Sequence, residues 1–256
     1  MRIRRSSSCF MKKGLAYILT LIHYLVFSLL LLIFHPIQII AYTLFGYKAH
    51  KKTVDLLNFF LVHNLYTLAC HPSFCGFEKI PINRPLIIVA NHQSLFDIAP
   101  VVWGFRKHHA KFISKKELGR FLPSISYNLR KGGSVLIDRK KGSQSIKEIL
   151  KLGKLMEHKN FSACLFPEGT RSRTGIVGHF HPAGFKTLLK ASPSALIVPF
   201  AIHGNYKLHR YHDLFPLNIG KHIKYSALEP IEREDIPGDD LLELVEQRIR
   251  EALGQS

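Results

Sequence analysis

Acidic side chains are scarce over most of this chain, and that scarcity is the first feature to limit its function. The sequence has 36 Lys and Arg residues against 18 Asp and Glu, and half of the acids lie from Glu229 onward. The formal net charge is +18 at pH 7. Such an excess attracts nucleic acid, anionic lipid headgroups or an acidic carrier protein, and charge alone excludes none of these partners.

Cysteine is also rare, with four residues at irregular spacing: Cys9, Cys70, Cys75 and Cys164. Four are too few for a disulfide framework in a chain of 256 residues, so the sequence favours a reducing compartment. Cys70 and Cys75 flank His71, but their spacing fits no common zinc pattern. We expect ordinary thiols at these positions and no bound metal.

No Lys, Arg, Asp or Glu occurs from Gly14 to Tyr47. This segment is too long and too apolar for a soluble helix or for the core of a secretory signal. Basic residues flank both ends, which places both on the cytoplasmic side by the positive-inside rule. The pair His35-Pro36 indicates two apolar helices, at about 14–34 and 37–46, that dip into one leaflet or form a tight hairpin. A single tilted transmembrane helix at 14–34 is the alternative, and both predict a membrane-associated protein with a cytoplasmic active site.

Beyond Pro81, short runs rich in Ile and Val alternate with helical periodicities. This pattern predicts an α/β fold with a central, mostly parallel sheet flanked by helices. The predicted strands cover 86–90, 134–137, 161–166, 195–201 and 221–227. The predicted helices cover 96–106, 115–129, 143–158, 182–191 and 239–252, preceded by an amphipathic helix at 53–69. We therefore divide the chain into an amino-terminal membrane segment (1–75) and an α/β domain (76–256).

Polar residues follow the predicted strands directly, where ligands collect in open α/β sheets. His92 and Asp97 are five positions apart, which on a continuous helix would separate their directions by about 140°. They meet only if His92 lies in the preceding loop and Asp97 in the first helical turn, with Ser94 as the cap. An imidazole oriented by a carboxylate is a general base. The alternatives are a helix cap with a chance histidine, and an acyl-Ser94 route, which the missing G-x-S-x-G elbow disfavours.

A second polar loop follows the predicted strand at 161–166. It brings together a carboxylate, a glycine, a hydroxyl and a guanidinium: Glu168, Gly169, Thr170 and Arg171. A guanidinium suits a phosphate, and a carboxylate suits hydroxyl groups or holds the loop. Arg173 is an alternative to Arg171, and Glu168 is alternatively the partner of a structural arginine. The set predicts a site for a phosphate beside a polyol.

Four ordered segments, NHQSLFD, KFISKKELG with GGSVLIDR, FPEGTRS and IVPFAIHG, resemble the blocks of the 1-acylglycerol-3-phosphate (lysophosphatidic acid) acyltransferase family. They extend from about residue 86 to 204. The resemblance implies an enzyme that moves a fatty acyl group from acyl-CoA or acyl carrier protein to the sn-2 hydroxyl of lysophosphatidic acid, giving phosphatidic acid. Apart from this thioester co-substrate, it implies no cofactor.

The resemblance also implies roles for individual residues. His92 would be the general base and Asp97 its partner. The acceptor's phosphoglycerol group would be bound by residues of the second and third blocks: Glu168, Gly169, Thr170, Arg171, Arg139 and Lys115. The chain departs from the family pattern between His179 and Lys186, which leaves the acceptor headgroup open.

Rival functions remain open from the sequence. They are an acyltransferase for lyso-ornithine lipid, glycerol 3-phosphate or another lysophospholipid, and a non-catalytic membrane lipid-binding protein. A nucleic-acid-binding module is disfavoured because the chain has no RNA-recognition or zinc-finger signature. We therefore expect membrane lipids as partners and no nucleic acid.

Overall fold

Seven strands form one sheet in the computed structural model, which describes residues 3–138, 140–209, 214–233 and 236–255. The strands are β1 (His71–Cys75), β2 (Leu86–Ala90), β3 (Ala110–Lys115), β4 (Val135–Ile137), β5 (Ser162–Leu165), β6 (Leu196–His203) and β7 (His222–Ala227). Their order is β1-β7-β6-β2-β5-β3-β4. β6 and β7 pair antiparallel, and the other neighbours pair parallel. The predicted fold class, a mostly parallel sheet flanked by helices, is confirmed.

Helices cover both faces of the sheet. They are α1 (Ile3–His63), α2 (Ile98–Gly104), α3 (Ile125–Lys131), α4 (Gly142–Lys159), α5 (Pro182–Ala191) and α6 (Gly238–Ala252). In β2, Leu86, Ile88 and Ala90 pack into the core that contains residues of α1 and α2, while Ile87 and Val89 pack into the core formed with α4, α5 and α6. A strand buried on both faces needs a continuous apolar run, which explains the sequence LIIVA.

The five strands predicted from the sequence are present with ends shifted by up to two residues, and α4, α5 and α6 match their predicted ranges closely. Two strands, β1 and β3, were not predicted. The helix predicted at 115–129 is wrong: a short 3-10 turn (Lys116–Gly119) follows β3, and α3 begins only after Pro123. Proline disfavours helical geometry in the residue before it, which accounts for the interruption. Because β1 pairs with β7, the sheet begins inside the segment that we assigned to the amino-terminal region.

The break predicted at His35-Pro36 is also wrong, since α1 continues through both residues. The helix is interrupted at Gly46 instead, where φ is 75° and ψ is −169°. Glycine adopts this left-handed φ without the steric cost that a side chain would impose. The amphipathic helix predicted at 53–69 is the last part of α1, which ends at His63 and is followed by a 3-10 turn (Asn64–Leu68).

One side of α1 carries a stripe of buried residues that runs past Pro36. They recur every three or four positions from Ala16 to Ala41, as helical geometry requires, except between His23 and Leu31, where the half-buried Phe27 continues the stripe; they are Ala16, Thr20, His23, Leu31, Phe34, Gln38 and Ala41. The backbone N–H of Leu217 donates to Thr20 Oγ1 at 3.0 Å, and the hydroxyl of Tyr24 donates to the carbonyl of Leu214 at 2.6 Å. One side of α1 therefore lies against the α/β domain.

The opposite side of α1 is apolar and exposed. Its exposed large apolar residues are Leu15, Ile18, Leu21, Ile22, Leu25, Leu29, Leu32, Ile33, Ile37, Ile40, Leu44 and Phe45. Within the described residues, Lys12–Leu68 is the one helical stretch long and apolar enough to cross a membrane, judged by length and composition. An apolar surface of this extent indicates association with a membrane.

Candidate active site

The loop after β2 and the following turn bring His92 and Asp97 into direct contact. His92 lies in the loop, and Asp97 is in a 3-10 turn (Leu95–Asp97) that leads into α2. His92 Nδ1 lies 2.8 Å from Asp97 Oδ2, and the imidazole stacks on Phe166 with ring centroids 4.3 Å apart. The side chain of Asp97 is fully buried, whereas that of His92 is 18% exposed. The imidazole is thus fixed on one side and open to a substrate on the other.

Asp97 accepts every hydrogen bond around it, which fixes the tautomer of His92. Its Oδ2 atom accepts from the backbone N–H groups of Gln93 at 2.6 Å and Ser94 at 2.8 Å. Because a carboxylate surrounded by donors has no proton to give, His92 Nδ1 carries the hydrogen of the shared bond. Ser94 caps the turn as predicted: the N–H of Phe96 donates to its Oγ at 3.2 Å.

Two further buried residues, which the sequence reasoning missed, complete the surroundings of Asp97. Asn205 Nδ2 donates to Asp97 Oδ1 at 2.6 Å, and the Tyr225 hydroxyl donates to Asn205 Oδ1 at 3.0 Å. Asn205 begins the 3-10 turn after β6, and Tyr225 lies on β7. The only sequence signal was the position of Asn205 beside the fourth block, because no spacing rule connects residues 97, 205 and 225.

Glu168 joins the two polar loops that the sequence singled out. Its Oε1 atom accepts the backbone N–H of His92 at 2.7 Å, and its Oε2 atom accepts that of Gly178 at 2.9 Å. The N–H of Ser172 donates to the carbonyl of His92 at 2.7 Å, so the loops contact each other twice. Of the three roles considered for Glu168, which were binding hydroxyl groups, holding the loop and pairing with a structural arginine, these contacts support holding the loop.

Burial raises the pKa of the Glu168 carboxyl, and the hydrogen bonds from the His92 and Gly178 amides oppose the rise to a lesser degree. The side chain is nearly inaccessible to solvent. Burying a carboxylate away from water is costly unless hydrogen bonds compensate it. The compensation here comes from two backbone amides, those of His92 and Gly178.

The remaining predicted binding residues lie on the outer part of the same edge. Gly169 has a φ of 68°, which favours glycine. The space beside its Cα is otherwise open, since a side chain at this position would come near only His181, at 3.8 Å. Thr170 and Arg171 follow it and are exposed, and Lys115 is exposed at the end of β3, which pairs with β5. Their side chains extend into solvent on the edge where β2 and β5 end. Arg139, the sixth predicted residue, lies outside the described residues.

The amino-terminal helix lies directly against this site. Phe96, in the turn between His92 and α2, makes edge-to-face contacts with His23 and Phe27 of α1, with centroids 5.5 and 6.4 Å apart. His23 Nδ1 lies 3.1 Å from the carbonyl of Asn64 and 3.2 Å from Thr67 Oγ1. The side of α1 that is packed on the domain therefore contacts the His92 loop directly.

An imidazole paired with a buried carboxylate, at the carboxyl edge of a mostly parallel sheet and beside a glycine and arginine loop, is the arrangement of a general base in an enzyme. A family described as Acyltransferase matches residues 71–203, which is more than half of the chain. The match spans β1 to β6 and includes His92, Asp97, Glu168 and Arg171. The chain belongs to this acyltransferase family.

Individual relatives agree with the family. The chain is 36% identical over 130 residues to a Helicobacter pylori 1-acyl-sn-glycerol-3-phosphate acyltransferase, covering 49% of this chain and 54% of that protein. It is 28% identical over 123 residues to the human 1-acyl-sn-glycerol-3-phosphate acyltransferase beta, covering 48% and 44%. The chain thus spans about half the length of these curated relatives.

The fold is shared with a solved structure. The crystal structure of the 1-acyl-sn-glycerophosphate (LPA) acyltransferase PlsC from Thermotoga maritima matches with a TM-score of 0.77 and 22% identity. The alignment covers 95% of this chain and 97% of that one. It therefore includes the amino-terminal helix as well as the α/β domain.

Proposed function

We propose that this chain is a 1-acyl-sn-glycerol-3-phosphate O-acyltransferase, which transfers a fatty acyl group from a thioester to the sn-2 hydroxyl of lysophosphatidic acid. The observation that carries the proposal is the contact between its two polar loops. Glu168 accepts the N–H of His92, so the loop bearing Arg171 is attached to the residue that would act as base. A phosphate bound by Arg171 would then hold the acceptor hydroxyl near His92.

His92 is the general base in this mechanism. Its Nδ1–H is directed at Asp97, which leaves Nε2 to take the proton of the acceptor hydroxyl. The hydroxyl oxygen forms a bond to the thioester carbonyl carbon, and the bond from that carbon to sulfur breaks. The thiolate leaves and takes up the proton from the imidazolium, so that His92 returns to its neutral state. No nucleophilic side chain is required, because the acceptor itself attacks.

The acceptor site combines three contributions in the proposal. Arg171 binds the phosphate, because a guanidinium forms paired hydrogen bonds with phosphate oxygens. Gly169 and Thr170 contribute a backbone and a hydroxyl group that the ligand can approach, and Lys115 and Arg139 add positive charge. Glu168 shapes this site through the backbone rather than by direct contact.

We infer that the reaction takes place at the cytoplasmic face of the membrane, as the basic residues on both sides of the apolar segment suggest. The thioester donor, acyl-CoA or acyl carrier protein, carries negative charge that suits the basic surface. Because one side of α1 packs on the domain from Ala16 to Ala41, we infer that this helix lies in one leaflet instead of crossing the bilayer. The lysophospholipid would then reach His92 from the leaflet beside α1.

The test uses membranes that contain the full chain, oleoyl-CoA and lysophosphatidic acid. Phosphatidic acid and free thiol are followed together, so that acyl transfer is distinguished from thioester hydrolysis. We expect equal amounts of both products, and His92→Ala should abolish them. His158→Ala is the matched control, because His158 is an exposed histidine in the last turn of α4, away from both polar loops, and should retain full activity.

Other acceptors test the identity of the substrate. Glycerol 3-phosphate, lyso-ornithine lipid and uncharged lysolipids are supplied with both CoA and carrier-protein donors. If another acceptor is acylated faster and His92→Ala still abolishes the reaction, the lysophosphatidic acid assignment is overturned but the mechanism stands. Absence of acylation with every acceptor would overturn the enzymatic proposal and favour a lipid-binding role.

A further inference from the structure

A tightly held loop presents three apolar side chains to solvent between β3 and α3. We call Leu118, Phe121 and Leu122 the apolar tip. Phe121 is 94% exposed, more than any other large apolar side chain with a described environment, and its neighbours Leu118 and Leu122 are 41% and 39% exposed. Single exposed apolar residues are common, but three together around an almost fully exposed phenylalanine mark an interaction surface.

Hydrogen bonds hold the apolar tip in place. The N–H of Leu122 donates to Ser126 Oγ at 3.0 Å, and the Ser126 hydroxyl donates to the carbonyl of Leu118 at 2.9 Å. The guanidinium of Arg130 donates to the carbonyl of Gly119. Phe121 itself has a φ of 69°, a left-handed conformation that is costly for a bulky residue and persists only where its surroundings impose it. The loop therefore presents Phe121 instead of folding it inward.

The apolar tip is attached to the middle of α1. The hydroxyl of Ser124 donates to the carbonyl of Leu31 at 2.7 Å, and its N–H donates to His35 Nδ1 at 3.0 Å. Ile125 packs against the small core formed by Leu31 and Phe34. The exposed apolar side chains of α1 within one turn of this junction are Leu29, Leu32, Ile33 and Ile37. The tip thus extends the surface that faces the membrane.

Exposed cations surround the apolar tip. Four basic residues lie in the same loop or on α3, against one acid, Glu117; they are Lys116, Arg120, Arg130 and Lys131. The Nζ atom of Lys131 lies 5.7 Å from the ring centroid of Tyr42, so the cations extend to α1. Aromatic and apolar groups bordered by cations match the boundary of a bilayer that contains anionic lipid.

The apolar tip also leaves the sheet at the catalytic edge. β2, β5 and β3 are parallel neighbours, and His92, Glu168 and the tip each follow the carboxyl end of one of them. A surface that contacts the tip therefore faces the edge that carries the candidate active site. A helix lying in a leaflet leaves the domain free to roll about the helix axis, and a second contact away from that axis prevents rolling.

We propose that the apolar tip is a second membrane-contact site that inserts into the boundary of an anionic bilayer and orients the catalytic edge toward it. Phe121 and Leu122 enter the acyl region, and Lys116 and Arg120 contact lipid phosphates. The inference rests on the membrane association of α1 and is independent of acyl transfer.

The experiment measures the depth of a single tryptophan in the full chain. Trp103, the only tryptophan, is first replaced in the variant Trp103→Phe. Phe121→Trp is then made in that background, and Ile82→Trp provides the matched control, because Ile82 is an exposed apolar residue before β2, at the other end of that strand from His92. Each protein is reconstituted in vesicles of equal parts phosphatidylcholine and phosphatidylglycerol, with or without bromine on the acyl chains.

We expect brominated lipid to quench Phe121→Trp at least several-fold more than Ile82→Trp, and the contrast to fall when phosphatidylglycerol is omitted. Equal quenching of the two variants would overturn the proposal. A blue shift of Phe121→Trp that depends on protein concentration but not on bromine would overturn it in favour of contact with a second copy. Since no acyl donor is present, failure here leaves the acyltransferase proposal intact, and failure of the activity assay leaves this result intact.

Discussion

The inner and outer parts of the candidate site differ sharply in how their polar groups are held. On the inner side, Asp97 and Glu168 are buried, and each accepts hydrogen bonds on both carboxylate oxygens. On the outer side, Thr170 and Arg171 are exposed on the loop that follows β5. The carboxylates that hold His92 and its loop are fixed by the fold, whereas the side chains that would bind the phosphate are exposed to solvent.

The difference has a physical basis in where each group acts. Proton transfer requires donor and acceptor within hydrogen-bond distance and in a fixed direction, so its residues benefit from a rigid, buried setting. Phosphate binding requires a ligand to enter and leave. An exposed guanidinium can bind the ligand without any rearrangement of the buried core, so the cost of binding is low. We therefore expect inner substitutions to lower kcat and outer substitutions to raise KM.

The largest effect should come from Asp97→Asn. Asparagine has one acceptor oxygen and no charge, so its NH2 group faces either the donors around Oδ2 or Asn205 Nδ2, and the imidazolium formed at His92 loses its counter-charge. We expect kcat to fall on the order of 10³-fold with little change in KM. Asp239→Asn, an exposed carboxylate on α6, is the control and should retain wild-type turnover. A small loss in Asp97→Asn would contradict the inner role of this pair.

A smaller loss should follow from Asn205→Leu, which removes the donor to Asp97 Oδ1. One buried acceptor is left without its partner, worth about 1–3 kcal/mol, so we expect kcat to fall about 10- to 100-fold. Tyr225→Phe acts one bond further away and should cost less. The steady-state kinetics and thermal unfolding of both variants are measured beside those of a control, Asn218→Leu. This control removes an asparagine that donates to backbone carbonyls and does not contact Asp97. Equal losses in Asn205→Leu and Asn218→Leu would rule out a specific contribution.

The outer side is tested by Arg171→Ala. Loss of a charge-assisted contact with the phosphate should raise KM for lysophosphatidic acid about 10-fold or more, with kcat changed less than about 3-fold. Arg173→Ala is the matched control, since Arg173 is an exposed arginine two positions away. If Arg173→Ala raises KM and Arg171→Ala does not, the phosphate contact belongs to Arg173. If Arg171→Ala lowered kcat without raising KM, the expected difference between inner and outer substitutions would be contradicted.

The last prediction concerns stability, away from the site. Burial lowers the pKa of Lys111 on β3 to about 7 from its usual 10.5, with a smaller contribution from the charge of Lys51. Between these values the unfolded chain binds a proton that the folded chain does not, so stability should rise with pH across that window. The contribution is at most about 1.4 kcal/mol per pH unit.

Thermal unfolding in detergent, followed from neutral to alkaline pH, measures this contribution. Lys111→Met should flatten the rise, whereas Lys115→Met, at the exposed end of the same strand, should leave it unchanged. Parallel curves for the wild type and Lys111→Met would show that Lys111 keeps its ordinary protonation in the folded protein.

Much of the fold could be predicted because the apolar residues on the buried face of each helix or strand recur at a regular spacing along the sequence. The run LIIVA was recognisable as a doubly buried strand, and α4 and α6 as amphipathic helices. β3 was missed because its six residues include two lysines, Lys111 and Lys115, and no continuous apolar run. The position of Lys111 in a buried strand depends on contacts with α1: its Nζ donates to the Tyr47 hydroxyl at 2.6 Å. No local pattern predicts such a long-range contact.

The features of the candidate site also divide into those that the sequence predicts and those that depend on tertiary contacts. The sequence by itself determined the mostly parallel α/β fold, the apolar amino-terminal segment, and the pairing of His92 with Asp97 across a strand-to-turn junction, because each depends on residues that are close along the chain. Only the tertiary structure decided that α1 breaks at Gly46, that Asn205 and Tyr225 complete the shell around Asp97, and that Glu168 joins the two loops. Those features depend on burial and hydrogen bonding between residues far apart in sequence, which form only when the sheet and helices pack together.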